Sequence, residues 1–262
     1  MVTETKLSEL SKKLVPTLVF ESRKLSTFLG FPLLVASETL QHTGSFKFRA
    51  ALNVVLNGKS DHFVTISSGN FGQALAYASK LEGKKCTVLM PETSAQVKID
   101  AVRQFGASIE LVDTTKRSRD HWLENFVAKC NEKLDVVSPY DDDRVIDGNS
   151  TLADELARIR PHKEFDCVVS PIGGGGLISG IIKGLKNCNS NVEVIGAEPV
   201  IANDAARSLK EGSLQRNSKE PMTIADGVRT LSLGERNWAI IKPNLKTIIE
   251  VEEEAIKEAV KL

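Results

Sequence analysis

The chain has 262 residues, 41% of them hydrophobic and 26% charged, which allows one large core or two smaller ones and is typical of a globular protein. Its 34 basic and 34 acidic side chains balance, so charge gives no reason to expect a nucleic acid or an anionic membrane as partner. No apolar stretch is long enough to span a bilayer, and residues 1–13 lack the apolar segment of a secretion signal.

Strands and helices are predicted to alternate along the middle of the chain. The patterns predict strands at 62–67, 86–90, 108–112, 135–137, 165–169 and 192–197, and helices at 72–81, 95–105, 118–132, 151–160 and 177–185. Such alternation is typical of α/β proteins with parallel sheets and right-handed crossovers. Ligands of these folds bind at the carboxyl ends of strands. We therefore expect an α/β fold whose site lies just after its strands.

A lysine flanked by two aromatic residues precedes the first of these strands. Lys47 lies between Phe46 and Phe48, in a segment that begins Thr-Gly-Ser like a helix start. Apolar neighbours lower the pKa of a lysine by desolvation, and a neutral amine is the form that attacks a carbonyl. The alternative is an ordinary solvated lysine.

Small polar residues and glycines follow the strand at 62–67, in the order Ser67-Ser68-Gly69-Asn70-Phe71-Gly72-Gln73. Backbone and side-chain donors at such a turn suit a carboxylate. The alternative is an ordinary helix cap by Ser68 or Asn70.

Four consecutive glycines, residues 173–176, lie between a predicted strand and a predicted helix. Glycine carries a large entropic cost there, and its use lets bare backbone approach a ligand closely. The unpaired N–H groups at the start of the helix suit a phosphate. A flexible or tightly packed turn is the alternative, and the run alone does not identify the phosphate.

The cysteines and histidines show no metal-binding or disulfide pattern. Four cysteines lie far apart without a CxxC pair, and four histidines lack zinc-site spacing. Without a secretion signal, this pattern predicts reduced thiols and a cytoplasmic location.

Four motifs occur together: T-G-S-F-K (43–47), S-S-G-N-x-G-Q (67–73), G-G-G-G-L (173–177) and T-I-A-D-G-V (223–228). Over about residues 15–262 the chain resembles the fold type II pyridoxal-phosphate (PLP) enzymes, in particular the serine/threonine dehydratase and serine racemase family. The resemblance implies a tryptophan synthase β-like fold of two open parallel-sheet α/β domains with PLP between them. Residues 1–61 and 142–262 would form the large PLP-binding domain, and residues 62–141 the small domain.

The resemblance also assigns roles to the residues that match its motifs. Lys47 would bind PLP covalently, Phe46 would pack against the ring, and Asn70 would hydrogen-bond its 3′ oxygen. The phosphate would be held by Gly173, Gly174, Gly175, Gly176 and Leu177, and Gly227 would lie beside the cofactor. Ser67, Ser68 and Asn70 would meet the carboxylate of the substrate.

Ser68 distinguishes the subtypes that the resemblance implies. Threonine dehydratases often have alanine at the matching position, whereas serine racemase-like members have serine. Lys47 would remove the α-proton, and the Ser68 hydroxyl on the opposite side of the cofactor would return one to give the other enantiomer.

Residues 197–204 resemble the divalent-cation loop of the family. Glu198 and Asp204 would supply carboxylates and Ala202 a carbonyl oxygen, all suitable ligands for Mg²⁺ or Ca²⁺. The alternative is a pair of solvated acidic residues.

The chain departs from the family pattern at several positions. Phe71 stands where racemase-like members usually have His, and Asn149 where the family has Gln. Residues 36–39 lack two charges that the family carries near the cofactor entrance. The chain also stops at Leu262, inside a predicted helix over 252–262, before the family's partner for the pyridine nitrogen. We therefore expect either a fragment or a short chain with impaired activity.

The expected function is a PLP-dependent ammonia-lyase that converts L-serine, L-threonine or 3-hydroxyaspartate to a 2-oxo acid and ammonia, or an associated serine racemase. The family is commonly dimeric, so we expect a homodimer that takes a small amino acid. One alternative is a non-catalytic or impaired binder of PLP or another metabolite. A Rossmann-type nucleotide protein is less well supported, because residues 173–176 lack GxGxxG spacing.

Overall fold

The computed structural model describes residues 4–67, 69–159 and 165–262. The chain divides into two compact units. The first comprises Met1–Val15 and Gln41–Gly148, and the second comprises Pro16–Leu40 and Asn149–Leu262. The domain boundaries that the family resemblance implies, at residues 62 and 141, stay a prediction.

The strands are β1 (Leu18–Glu21), β2 (Leu34–Ser37), β3 (His62–Ile66), β4 (Lys85–Pro91), β5 (Ser108–Val112), β6 (Asp135–Val136), β7 (Cys167–Pro171), β8 (Glu193–Pro199) and β9 (Ile248–Val251). The α-helices are α1 (Glu4–Lys13), α2 (Arg23–Leu29), α3 (Lys47–Leu56), α4 (Asn70–Leu81), α5 (Gln96–Gln104), α6 (Arg119–Lys129), α7 (Asp143–Ile159), α8 (Gly176–Asn187), α9 (Asp204–Glu211), α10 (Glu235–Ile241) and α11 (Glu253–Ala259). None of the described helices is long and apolar enough to cross a membrane.

The first unit is built on a parallel sheet with strand order β5-β4-β3-β6. All five residues of β3 are buried, as expected for a strand covered on both faces. Helix α3 buries eight of its ten residues. The core of the unit includes Phe48, Leu52, Phe63, Leu75 and Met90. Lys47, the first residue of α3, is therefore positioned by a helix that is almost wholly buried in the unit.

The second unit contains a parallel sheet with order β7-β8-β9 and an antiparallel pair, β1 and β2. Its core includes Ile172, Ile178, Leu185 and Ile241. Helix α8 approaches α7 closely at Gly184, where a Cβ would lie only 2.4 Å from the Ser150 carbonyl oxygen. Glycine at this position is thus required by packing between the two helices.

The predicted α/β class with parallel sheets is confirmed, and most element boundaries agree within a few residues. Helix α7 begins at Asp143, eight residues before the predicted start. The predicted strand from Phe165 begins at Cys167, and residue 160 of the predicted helix lies outside the described residues. The antiparallel pair β1–β2 was not predicted, because its strands have only four residues each and β1 is largely exposed, while β2 is mostly half-buried.

Candidate active site

Lys47 is the first residue of α3, and its amine lies among apolar side chains. Nζ is 5.1 Å from the centroid of the Phe46 ring and 6.0 Å from that of Phe71. It donates a hydrogen bond to the carbonyl oxygen of Pro139, at 3.1 Å. Withdrawal of the amine from water disfavours its charged form and lowers the pKa of Lys47 to about 8. The neutral fraction near neutral pH is therefore much larger than that of an ordinary lysine.

Phe46 lies beside the amine as expected from the sequence, but the second ring there is not Phe48. Phe48 is buried in the core, where its ring packs against His42 and Tyr77. Consecutive residues of an α-helix point about 100° apart, so Lys47 and Phe48 diverge. Phe71, from the first turn of α4, takes the place beside the amine.

Two hydroxyl groups beside Lys47 have no protein partner among the described residues. Thr43 Oγ1 and Ser45 Oγ are both buried without a hydrogen bond. They flank Gly44, whose φ of 70° turns the chain into α3. Buried hydroxyls are normally paired, so their presence here is consistent with a polar group that binds at this position.

The Ser67–Asn70 turn connects β3 to α4. Ser67 Oγ accepts hydrogen bonds from the N–H groups of Gly69, at 3.4 Å, and Gly72, at 3.3 Å. Asn70 is the first residue of α4 and is exposed. Ser68 lies outside the described residues. The structure thus places Asn70 and Ser67 in one turn and brings Phe71, the residue after Asn70, beside Lys47.

The glycine turn occupies the end of β7 and the start of α8. Gly175 has a φ of 91°, and a Cβ on it would lie 2.9 Å from Asn237 Cβ and 3.0 Å from Leu233 Cδ2. A Cβ on Gly173 would lie 3.0 Å from Val228 Cα. A side chain at Gly175 would therefore clash, and one at Gly173 would require Val228 to shift, so packing within the unit favours glycine at both positions.

Gly227 lies next to this turn, in a short 3₁₀ helix, Asp226–Val228. Its carbonyl oxygen is 3.6 Å from the Cβ position of Gly173, whereas a Cβ on Gly227 itself would meet no atom within 4 Å. The second unit thus brings Gly227 together with the predicted phosphate-binding glycines. Leu177 is the second residue of α8, where backbone N–H groups have no intrahelical partner.

Glu198 and Asp204 are both 2% exposed, so they are not solvated acidic residues. Glu198 accepts hydrogen bonds from the N–H groups of Ala205 and Ala206. Asp204 Oδ1 accepts one from Asn217 Nδ2, at 2.8 Å, whereas Oδ2 is buried without a partner among the described residues. Burial raises the pKa of Glu198 to about 8, helped by the Asp204 charge, and that of Asp204 to about 6.

A divalent cation fits the chemistry of this pair. It would take the unpartnered Asp204 oxygen and offset the repulsion between two buried carboxylates. Ala202, the third predicted ligand, is also buried and ends the 3₁₀ helix Val200–Ala202. No group of three His, Cys, Asp or Glu side chains in the described part of the chain could hold a metal ion. Carbonyl and water oxygens would therefore have to complete the shell.

These features define a class of protein: an α/β enzyme with a desolvated lysine and a glycine turn suited to a phosphate. The neutral amine of Lys47 suits the aldehyde of PLP, and the backbone of the glycine turn suits its phosphate. A family model for pyridoxal-phosphate dependent enzymes matches residues 10–262. The chain belongs to this family.

Relatives and solved structures agree with that assignment. The chain is 37% identical to a serine racemase of Dictyostelium discoideum, over 97% of this chain and 78% of the relative. It is also 37% identical to a beta-hydroxyaspartate dehydratase of Paracoccus denitrificans, over 91% of this chain and 75% of that relative. A threonine deaminase structure from T.th. superimposes with a TM-score of 0.89 at 35% identity, and covers 100% of this chain and 86% of that one. The predicted family and fold are confirmed.

The Lys47 amine should titrate well below an ordinary lysine. We expect its acetylation in the cofactor-free protein to rise with pH through a midpoint near 8, because only the neutral amine reacts. Competitive labelling with mass spectrometry would compare the acetylation midpoint of Lys47 with that of Lys80, which is exposed on α4. A Lys47 midpoint equal to that of Lys80 would contradict the desolvated site.

Cations should stabilise the protein through Asp204, and more at high pH. Both pKa values are raised by folding, so ionisation of Glu198 and Asp204 destabilises the cation-free protein as the pH rises through about 6 to 8. We expect Mg²⁺ or Ca²⁺ to raise the melting temperature more at about pH 8.5, above both pKa values, than at about pH 5, below both.

The Asp204→Asn variant should lose this cation response, while Glu211→Gln, an exposed change on the same helix, should keep it. Scanning calorimetry with and without a chelator measures both. An Asp204→Asn variant that is stabilised as strongly as the parent protein would refute the cation site.

Proposed function

We propose that this chain is a PLP-dependent ammonia-lyase of small hydroxyamino acids, with racemase activity at the same site. The observation that supports this most is the Lys47 amine, held out of water between Phe46 and Phe71 in a chain of the PLP family. The relatives act on serine, hydroxyaspartate or threonine by their names, all β-hydroxy amino acids. L-Serine, L-threonine and 3-hydroxyaspartate are therefore the candidate substrates.

The site residues divide between cofactor and substrate. Lys47 would hold PLP covalently, with Phe46 on the ring and Asn70 at its 3′ oxygen. The phosphate would be bound by Gly173, Gly174, Gly175, Gly176 and Leu177, and Gly227 would line the cofactor. PLP supplies an electron sink for the pair of electrons left when the α-proton departs.

Lys47 Nζ, released from the cofactor when the substrate amine takes its place, would act as the general base. A neutral amine with a pKa near 8 can take the α-proton at physiological pH and give a proton to the departing β-hydroxyl. Loss of water from the substrate and hydrolysis of the resulting enamine balance to a 2-oxo acid and ammonia. Ser67, Ser68 and Asn70 would orient the substrate by its carboxylate, since backbone N–H groups at the start of α4 favour an anion.

We also propose a cytoplasmic homodimer. All four cysteines are free, in keeping with a reducing compartment. Exposed apolar side chains near α2, Phe28 at 68% and Phe31 at 56%, suit an interface between two copies.

The purified protein should be yellow with PLP, and should release 2-oxo acid and ammonia from at least one of the three substrates. Lys47→Ala should lower the rate by at least about 10²–10⁴-fold, because it removes the general base. Lys80→Ala, an exposed change, should be without effect. A coupled dehydrogenase assay measures the products. Firm PLP binding without any product would instead establish a non-catalytic binder.

Ser68→Ala should spare elimination from L-serine but abolish interconversion of the serine enantiomers. Only racemisation needs a proton on the side of the cofactor opposite Lys47. Chiral chromatography of serine, run in parallel with the product assay, separates the two activities. Equal loss of both would show that Ser68 is not a selective proton donor.

A further inference from the structure

Two buried asparagines donate hydrogen bonds to the backbone of the glycine turn. Asn237 Nδ2 lies 2.8 Å from the Gly174 carbonyl oxygen, and Asn149 Nδ2 lies 3.0 Å from the Gly176 carbonyl oxygen. Asn237 is 0% exposed and Asn149 1%. Neither belongs to the residues assigned above to the cofactor.

Burial of a carboxamide is unfavourable unless it is hydrogen-bonded, and an apolar side chain of similar size would fill the same space without that penalty. Each of these two amides donates to a carbonyl group of the turn, one at Gly174 and the other two residues later at Gly176. Such an arrangement constrains the orientation of the peptide planes in the turn.

Because the peptide bond is planar, each hydrogen bond to a carbonyl of the turn also fixes the direction of the N–H group of the next residue. The carbonyl of one residue and the N–H of the next share a rigid trans plane and point in opposite directions. A hydrogen bond that fixes the Gly174 carbonyl therefore directs the Gly175 N–H away from Asn237. The bond to the Gly176 carbonyl likewise directs the Leu177 N–H away from Asn149.

We propose that Asn237, with Asn149 as a second contact, is a positioning residue for the cofactor phosphate. The two side chains hold the turn from behind, so that the Gly175 and Leu177 N–H groups face the phosphate. The inference rests on the proposed function, because the phosphate is that of PLP.

Asn237 has the larger part in this arrangement. Gly174 precedes α8, so the helix does not fix its peptide plane, whereas Gly176 is already the first helical residue. The Gly174 carbonyl also accepts the Gly234 N–H, at 3.1 Å, from the residue before α10. Asn237 Cβ lies 2.9 Å from the Cβ position of Gly175, the residue with positive φ. Asn237 thus supports the most constrained part of the turn.

The phosphate dependence of cofactor affinity tests this role. Dissociation constants of PLP and of pyridoxal, which lacks the phosphate, are measured for the parent chain and for Asn237→Leu. We expect the preference for PLP over pyridoxal to fall at least about 10-fold, which corresponds to about 1.4 kcal/mol. Pyridoxal affinity should change less than about twofold, an effect below about 0.5 kcal/mol by the same conversion. The same change at exposed Asn187, Asn187→Leu, should alter neither.

Equal loss of affinity for both aldehydes would overturn the proposal, because a general structural role predicts that result. An unchanged preference would overturn it as well. Asn149→Leu should lower the preference in the same direction by a smaller factor, and Asn149→Gln, which keeps the amide donor, should restore it. If Asn237→Leu does not fold, this second pair decides, and equal preferences in its two variants would refute the role.

Inorganic phosphate separates this inference from the proposed function. We expect phosphate to raise the melting temperature of the cofactor-free parent chain but not that of Asn237→Leu. For Asn149→Leu we expect an increase that is smaller than in the parent chain. A parent chain that binds neither aldehyde would refute the proposed function, and the phosphate arm would then decide the inference alone. Absence of phosphate stabilisation in that parent chain would overturn the inference too.

Discussion

The removal of one amine from water is the constraint on which the site in the first unit depends. An ammonium group is costly to bury, and the cost appears as a pKa near 8 for Lys47. The backbone at this position can hold the amine because α3 is buried along most of its length. Phe71 contributes its ring from α4, which packs on α3 and on the strand before it. The reactivity of the lysine is thus a property of the packed unit.

The glycine turn of the second unit differs from the Lys47 site, because its binding groups are backbone N–H groups rather than a side chain. Gly173 and Gly175 leave no room for a Cβ, and the carbonyls of the turn are bonded to groups from α7 and α10. Glycine allows the required φ of 91° at Gly175 but does not by itself select it. Selection comes from Asn237 and its neighbours, which restrict a flexible sequence to one conformation.

The parts of this arrangement that follow strands could be predicted from the sequence. Ligands of α/β folds bind at the carboxyl ends of strands, so the turn after β3 and the glycine turn after β7 were both found by their position after apolar runs. Glu198 was found through the resemblance of residues 197–204 to the family's cation loop. Helix α10 supplies the support for the glycine turn, but Asn237 lies far from it along the chain and carries no local pattern that marks it. The hydrogen bond from Lys47 to the Pro139 carbonyl could not be predicted from the sequence either, because every residue has a carbonyl group.

One expectation about a single side chain was wrong because it was based on adjacency in the sequence. Phe48 was expected to desolvate Lys47 because it is adjacent in sequence, yet helical geometry directs it into the core and leaves Phe71 beside the amine. The sequence alone also could not separate buried carboxylates from solvated ones at Glu198 and Asp204, and both are almost fully buried.

Two departures from the family pattern have a physical explanation in these contacts. Asn149 stands where the family resemblance expects glutamine, and its side-chain amide donates to the Gly176 carbonyl, a bond that the amide group of a glutamine could also supply. Phe71 stands in place of histidine and removes a group that could carry a charge from the surroundings of Lys47. A protonated imidazole there would also disfavour the charged amine, but it would bring water and a second titration into the site. An apolar ring lowers the pKa of the lysine by exclusion of water alone, and its effect is therefore independent of pH.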